Sequence, residues 1–283
     1  MTGIKDRHGR KLAITALGSG GGVPLGQASF EAALRLKRAL AGKPELCARA
    51  IARIFGLVPS RLEVRLWNGK KMLFNVPADP GNFLNDIDCI IVRDQYNAAR
   101  VKGAVVADAG ANLGVFSLYA RALGAKKSYA FEAVKETFEL LRANLALNRA
   151  GAVIKAANIA LGREKGEAEL LYNNRGEGSA MLAGAGAEVN RGIAYSGRRS
   201  VRVAPLDSLI KGKLDFIKMD VEGYEGPVLL GAAGLIKKYK PVLSFSAYHR
   251  ESDKKGLPKT VAAIRPDYRI TLNTFAEHDF YCD

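Results

Sequence analysis

A chain of 283 residues, 48% hydrophobic and 25% charged, can bury a substantial core and has the composition ordinary for a soluble protein. The three cysteines (Cys47, Cys89, Cys282) are few and far apart, which excludes a disulfide framework and a zinc cluster, and three histidines exclude a His-rich metal site. The net charge of +15 suits polyanionic partners or anionic membrane faces, and serves solubility equally well.

No run of about 18 apolar residues reads as a membrane span. The stretch from Met1 to Arg7 carries charges with no apolar core behind them, so no secretory signal is expected. With the cysteine usage, this points to a reducing, cytoplasmic compartment.

Residues 1–26 read as loose, with Gly18-Ser19-Gly20-Gly21-Gly22-Val23-Pro24 as a linker that lacks the Gly-Lys-Ser/Thr ending of a phosphate loop. Residues 27–57 read as helical. Phe30, Ala33, Leu34 and Leu40 recur at roughly helical spacing, and Pro44 opens a second helix carrying Leu46, Ala50, Ile51, Ile54 and Phe55. Residues 1–60 are thus expected to form a helical N-terminal extension. Arg49 and Arg53, one turn apart, either face solvent while the helix packs on the main domain or lie on a membrane surface.

The main domain is expected over 61–283. In 61–76, Leu62, Val64 and Leu66, then Met72, Phe74 and Val76, alternate around Asn68-Gly69, a strong hairpin signal. This hairpin and a short helix form a lead-in over 61–103. From 104 to 283 strands and helices alternate. Strands are expected at 104–108, 127–131, 152–157, 213–219, 241–247, 267–273 and 278–282. Helices are expected at 113–123, 134–147, 224–238 and 258–264, and a hairpin or insertion at 166–205. Such alternation implies a mostly parallel sheet wrapped on both faces, and the short connection between the last two strands requires antiparallel pairing.

The stretch Val105-Val106-Ala107-Asp108-Ala109-Gly110-Ala111-Asn112-Leu113-Gly114 reads as a strand, a glycine-rich turn and a helix start. Glu132 ends the next strand, where a carboxylate can bind two ribose hydroxyls. A dinucleotide loop needs Gly-x-Gly-x-x-Gly; here Asn112 stands in place of the second glycine, and Asp108 would repel a diphosphate. An acid is tolerable if the ligand is cationic, as the sulfonium and amino group of S-adenosylmethionine are. Asp108, Gly110, Asn112, Gly114 and Glu132 are therefore expected to bind that cofactor, with Asp108 at its amino-acid end. Asn158 follows the third strand and is expected either to contact adenine or to serve a turn.

Three further stretches carry a family resemblance: Leu206-Asp207-Ser208-Leu209, Leu214-Asp215-Phe216-Ile217-Lys218-Met219-Asp220-Val221-Glu222-Gly223-Tyr224-Glu225, and Val228-Leu229-Leu230-Gly231-Ala232. With the glycine turn, Tyr129-Ala130-Phe131-Glu132 and Asn158-Ile159-Ala160-Leu161-Gly162, they resemble the FkbM family of S-adenosylmethionine-dependent methyltransferases over about residues 60–283. Family members often have Glu-Pro where this chain has Glu132-Ala133, and a small residue where it has Tyr224, which is expected to alter the acceptor pocket. The resemblance implies an α/β, Rossmann-like class I methyltransferase fold. Its central, mostly parallel seven-stranded sheet would have an antiparallel edge strand, here with the helical extension added. It also implies O-methylation of a sugar, glycan or other small-molecule hydroxyl, and weakly suggests that Gly178-Ser179-Ala180 closes over the cofactor.

An acceptor hydroxyl must be aligned with the methyl carbon and lose its proton. Asp220, Glu222 and His249 stand at strand ends as catalytic candidates, and Asp220 is also placed among the cofactor contacts. His249 beside the two carboxylates reads as a neutral imidazole base, or as a hydrogen-bonding residue on the rim. The same three could hold a divalent metal; the base reading is preferred and no metal is assigned. Lys218, inside a strand, reads as a structural partner of an acid. Two other functions are weighed. One is RNA methylation on the basic surface, against which stands the lack of an Asn-Pro-Pro-Tyr-type block and of an RNA-binding module. The other is a non-catalytic cofactor-binding protein.

Overall fold

Period-two alternation begins earlier than expected. In Lys11–Gly18 the side chains of Leu12, Ile14 and Ala16 are buried, while Lys11 and Ala13 between them face outward. The computed structural model describes residues 3–40, 43–78, 80–172, 180–185 and 195–283. Its first elements are strands β1 (Ile4–Lys5), β2 (Lys11–Gly18) and β3 (Gly21–Leu25), followed by helices α1 (Gln27–Ala39) and α2 (Pro44–Phe55) and strands β4 (Arg61–Arg65) and β5 (Lys71–Asn75). The five strands form one antiparallel sheet, with β2 pairing β4 on one side and β1 and β3 on the other.

Two expectations are corrected here. Residues 1–26 are not loose: the glycine cluster is the tip of the β2–β3 hairpin, with Gly18 opposite Gly21. Nor is 1–60 a helical extension, because the boundary at residue 60 falls inside this sheet. The strands at 4–25 and 61–75 share buried faces with α1, α2 and the central sheet in one continuous core. The cause is burial: Leu12, Ile14, Leu62, Val64, Met72 and Phe74 leave water together only if their strands pair.

Helix α3 (Pro80–Asp86) and a π-helical turn (Ile87–Val92) lead to β6 (Val105–Ala109). Then come α4 (Val115–Ala122), β7 (Lys127–Glu132), α5 (Lys135–Leu147) and β8 (Ile154–Asn158). Strands β9 (Ala160–Leu161), β10 (Gly166–Tyr172), β11 (Met181–Leu182) and β12 (Gly197–Ala204) form a separate small sheet in the order β11-β10-β12-β9. Helix α6 (Leu206–Leu209), β13 (Phe216–Met219), α7 (Glu225–Gly231), α8 (Ala233–Tyr239), β14 (Val242–Ser246), α9 (Asp253–Ile264), β15 (Ile270–Asn273) and β16 (Asp279–Cys282) complete the chain.

The central sheet has seven strands in the order β15-β16-β14-β13-β6-β7-β8. Strands β14, β13, β6, β7 and β8 are mutually parallel, and β16 runs antiparallel between β14 and β15. This is the strand order of a class I methyltransferase, with the antiparallel strand one place in from the edge. The chain winds away from β6 in one direction to β7 and returns on its other side at β13. The crevice at their carboxyl ends is thus the switch point where ligands bind in open α/β sheets.

Helix α5 ties the two large sheets together. Asn144 Oδ1 accepts the Asn75 amide at 2.8 Å while its Nδ2 donates to Leu113 O at 2.9 Å, and Asn148 bonds both polar groups of Leu73. These bonds satisfy the free edge of β5, which would otherwise offer unpaired backbone groups. Among the described residues no helix is long and apolar enough to cross a membrane.

Candidate active site

The glycine turn after β6 is shaped by its neighbours. Gly110 has φ +71°, and a Cβ there would lie 1.8 Å from the Asp220 carbonyl oxygen. Only glycine fits this corner between β6 and β13. The amides of Gly110 and Ala111 donate to Phe131 O at 3.0 and 2.9 Å, which lashes the turn to the end of β7. Asn112 sits at φ +48°, a conformation asparagine tolerates better than most residues. Its side-chain amide donates to Asp86 Oδ2 at 3.0 Å. Gly114 caps α4 at φ +85°, and a Cβ there would meet Leu141 at 2.6 Å. It forms the strand–helix corner and does not line the cavity described below.

Asp108 departs from the expectation. Its side chain is fully buried, accepts Ser117 Oγ at 2.7 Å and pairs with Lys218 Nζ at 3.1 Å. The parallel register sets Lys218 opposite Asp108, and a lysine on a buried central strand requires an anionic partner. Lys218 also donates to Gly110 O at 2.7 Å. Burial opposes its charge, but Asp108 and Asp220 outweigh burial and hold the ammonium above its usual range. Asp108 therefore braces the turn from beneath and is sealed away from the surface. The structural role expected of Lys218 is what its contacts display.

Above the turn lies a cavity of about 330 Å³, within the usual range for small-molecule sites. Gly110, Asn112, Glu132, Asp220 and Glu222 line it, and Tyr224 and Arg199 form part of its wall. Glu132 accepts the amides of Asn112 and Val134 at 2.9 and 2.8 Å, and burial raises its pKa. Asn158 is not at the cavity surface. Its amide donates to the backbone oxygens of Glu132 and Ala133, which makes it the turn residue of the two readings weighed. The apolar residues Ile159, Ala160 and Leu161 stand at the cavity in its stead. Of the expected lid segment, Ala180 lines the cavity, while Gly178 and Ser179 lie outside the described residues.

At the ends of β13 and β14 the structure brings the three catalytic candidates together. His249 Nε2 is 3.1 Å from Asp220 Oδ1, and Nδ1 is 3.6 Å from Glu222 Oε2. A fourth group was not singled out in the sequence: Glu225 Oε1, 3.5 Å from Nε2. Burial disfavours the His249 cation, but the hydrogen bond to Asp220 and the charges of Glu225, Asp220 and Glu222 push its pKa up to about 10. Asp220, although burial acts to raise it, is held well below the usual carboxylate range by His249 and Lys218. The expected neutral imidazole base is therefore corrected: near neutral pH this ring carries its proton and acts as a counter-ion.

Several neighbours had no sequence signal. Tyr96 OH donates to Asp220 Oδ2 at 2.9 Å, and Tyr248 OH donates to Oδ1 at 3.2 Å. Asp86 reaches the glycine turn from α3, and burial and the Asp220 charge push its pKa up to about 7. Glu225 belonged to the motif already quoted, and its spacing of three residues from Glu222 could have drawn it in. Asp86 and Tyr96 come from segments without a motif. Glu222 itself adopts φ +53°, a strained conformation of the kind that clusters at functional sites.

The family described as "Methyltransferase FkbM domain" matches residues 108–281. Among solved structures, the chain is similar to methyltransferase FkbM from Methylobacillus flagellatus, at 19% identity over 72% of this chain and 54% of that one, with a TM-score of 0.49. The chain thus spans about half the length of that protein. It is also similar to a ribosomal-protein methylase from Lactobacillus delbrueckii subsp. bulgaricus (15% identity, 74% and 80% of the chains, TM-score 0.44). A third likeness is to a precorrin-6y methyltransferase from Geobacter metallireducens (12% identity, 68% and 85%, TM-score 0.41). No curated protein sequence matches.

Proposed function

The chain belongs to the FkbM methyltransferase family, and from that premise we propose that it moves a methyl group from S-adenosylmethionine to a hydroxyl of a sugar, a glycan or another small acceptor. The observation that carries this reading is the 330 Å³ cavity at the switch point, bounded by Gly110, Glu132, Asp220 and Glu222. The residues present fit the cofactor: no side chain can intrude at Gly110, and the carboxylates suit a ligand with positive charge. When bound, the cofactor supplies an electrophilic methyl on a cationic sulfur. Glu132 has lone pairs beyond those given to Asn112 and Val134, and these accept ribose hydroxyls. Asp220 and Glu222, on the cavity surface, accept the hydrogen bond of the acceptor hydroxyl, and His249, 3.1 Å from Asp220, fixes that carboxylate in place. Tyr224 on the wall limits the shape of the acceptor.

Glu132→Ala is expected to weaken S-adenosylmethionine binding by about 10- to 100-fold, the worth of charge-assisted hydrogen bonds of roughly 1.5–3 kcal/mol. Isothermal titration of both proteins decides the matter, and equal affinities would sink the cofactor assignment.

Asp86 gives a pH dependence. Asp220 and Glu277 face it as acids, and Lys218 and Lys37 as bases. Its carboxyl titrates at about 7, so it is mostly neutral at pH 6 and mostly anionic at pH 8. A cationic ligand beside the Asn112 turn favours the anion, so affinity should rise with pH, by roughly five- to tenfold from about pH 6 to about pH 8. In Asp86→Asn the rise should vanish. An identical pH profile in the two proteins would remove Asp86 from the site.

The net charge of +15 favours a second reading, methyl transfer to RNA. Against it, the cavity itself presents the carboxylates of Asp220 and Glu222, which repel phosphate. RNA binding whose affinity falls steeply with salt would favour RNA as the acceptor.

A further inference from the structure

The ends of β13 and β14 and the first turn of α7 converge on one point. His249 Nε2 lies 3.1 Å from Asp220 Oδ1 and 3.5 Å from Glu225 Oε1, and a ligand atom from each of the three residues falls within 4.8 Å of the others. Donors about 2.1 Å from a shared ion stand about 3.0 Å apart at a right angle and about 3.4 Å apart at a tetrahedral one. The two separations from His249, 3.1 and 3.5 Å, lie close to that span.

Glu225 supplies a second, independent observation. It is fully buried; Oε1 accepts the Val221 amide at 3.0 Å, but Oε2 is buried without any hydrogen-bond partner. A buried carboxylate oxygen that accepts no hydrogen bond from the protein is free to take a cation. Charge points to the ion. Asp220, Glu222 and Glu225 surround one imidazole, and Lys218 is committed to Asp108 at 3.1 Å. Around Asp220 the hydroxyls of Tyr96 and Tyr248 donate to its oxygens, the kind of outer contact that orients a ligating carboxylate.

We propose that Asp220, Glu225 and His249 form a site for one divalent first-row transition-metal ion, such as Mn²⁺ or Zn²⁺, at the edge of the cavity. Binding of the ion releases the His249 proton to solvent, and one neutral imidazole with two carboxylates suits these ions better than Mg²⁺ or Ca²⁺, which prefer all-oxygen sets. Asp220 is 26% exposed and lines the cavity, so the ion has an open position toward an acceptor. There it binds the acceptor hydroxyl and lowers its pKa, and the proton released passes to solvent. This role rests on the methyl-transfer reading; the binding of the ion does not.

The test begins with the full chain stripped by chelator and dialysed, then titrated with Mn²⁺ alone while free Mn²⁺ is followed by electron paramagnetic resonance. One ion per chain is expected, with nitrogen coupling from His249 in the bound spectrum. Glu225→Gln should lower affinity by about tenfold or more. His249→Gln, checked for folding by its melting curve, should abolish the nitrogen coupling. Saturation absent up to about 1 mM Mn²⁺, a ceiling that corresponds to roughly 4 kcal/mol of binding, overturns the proposal. So does binding without nitrogen coupling that Glu225→Gln leaves unchanged. A parallel titration of the stripped protein with S-adenosylmethionine separates the two ideas. Cofactor binding without Mn²⁺ binding ends the metal site alone, and Mn²⁺ binding without cofactor binding ends the methyl-transfer reading alone.

Discussion

Lys218→Met is expected to destabilise the fold by about 3–5 kcal/mol, the usual cost of removing one partner from a buried ion pair. Lys218 is 3% exposed and Asp108 is fully buried. Without the ammonium, Asp108 keeps only the Ser117 hydroxyl, and the Gly110 carbonyl loses its 2.7 Å donor. The loss falls at the centre of the seven-stranded sheet, where water cannot reach to compensate. Urea denaturation of the single variants Lys218→Met and Asp108→Asn and of the double variant completes a cycle. The double variant should be more stable than the sum of the single losses implies, because no charge is left stranded. A loss below about 1 kcal/mol in Lys218→Met, the level of an exposed pair, would show that solvent screens the pair.

Gly110→Ala should reduce S-adenosylmethionine affinity and methyl transfer on the order of 100-fold, the cost of displacing a binding surface by about 1 Å. Two effects combine. The new Cβ would lie 1.8 Å from the Asp220 carbonyl oxygen, which is backbone and cannot swing away. The residue must also hold φ +71°, which alanine resists. Strands β6 and β13 must part at their carboxyl ends, and Asp220 moves with them. Gly151→Ala is the control: nothing lies within 4 Å of a Cβ there, so it should behave as wild type. If Gly110→Ala binds the cofactor within about threefold of wild type, below 1 kcal/mol, the turn does not approach the ligand as proposed.

Local pattern carried the central sheet well. The strands expected at 127–131, 241–247 and 278–282 are found as Lys127–Glu132, Val242–Ser246 and Asp279–Cys282. Their apolar runs are bounded by turn residues, and such runs have few alternatives. Of the N-terminal sheet the hairpin at 61–76 was expected and is found as Arg61–Arg65 and Lys71–Asn75, but the strands within residues 1–26 were missed although Leu12, Ile14 and Ala16 alternate clearly. The glycine cluster after them drew attention as a linker, whereas a hairpin tip needs the same residues. His249 was correctly placed beside Asp220 and Glu222, because residues at the ends of adjacent parallel strands meet in space. Its protonation was not legible, since it depends on a third carboxylate, Glu225, folded back from α7.

The sequence by itself determined most elements of the central sheet, their parallel winding, the glycine turn and the family, because these follow from periodicity, backbone freedom and residue order along short stretches. Tertiary structure alone decided which acids face the cavity. Asp108 and Glu132 look alike in sequence, yet one is sealed against Lys218 and the other lines the cavity. It also delivered Asp86 and Tyr96 to the glycine turn and to Asp220 from segments with no motif. A side chain's charge state and access to water depend on what packs against it from distant parts of the chain.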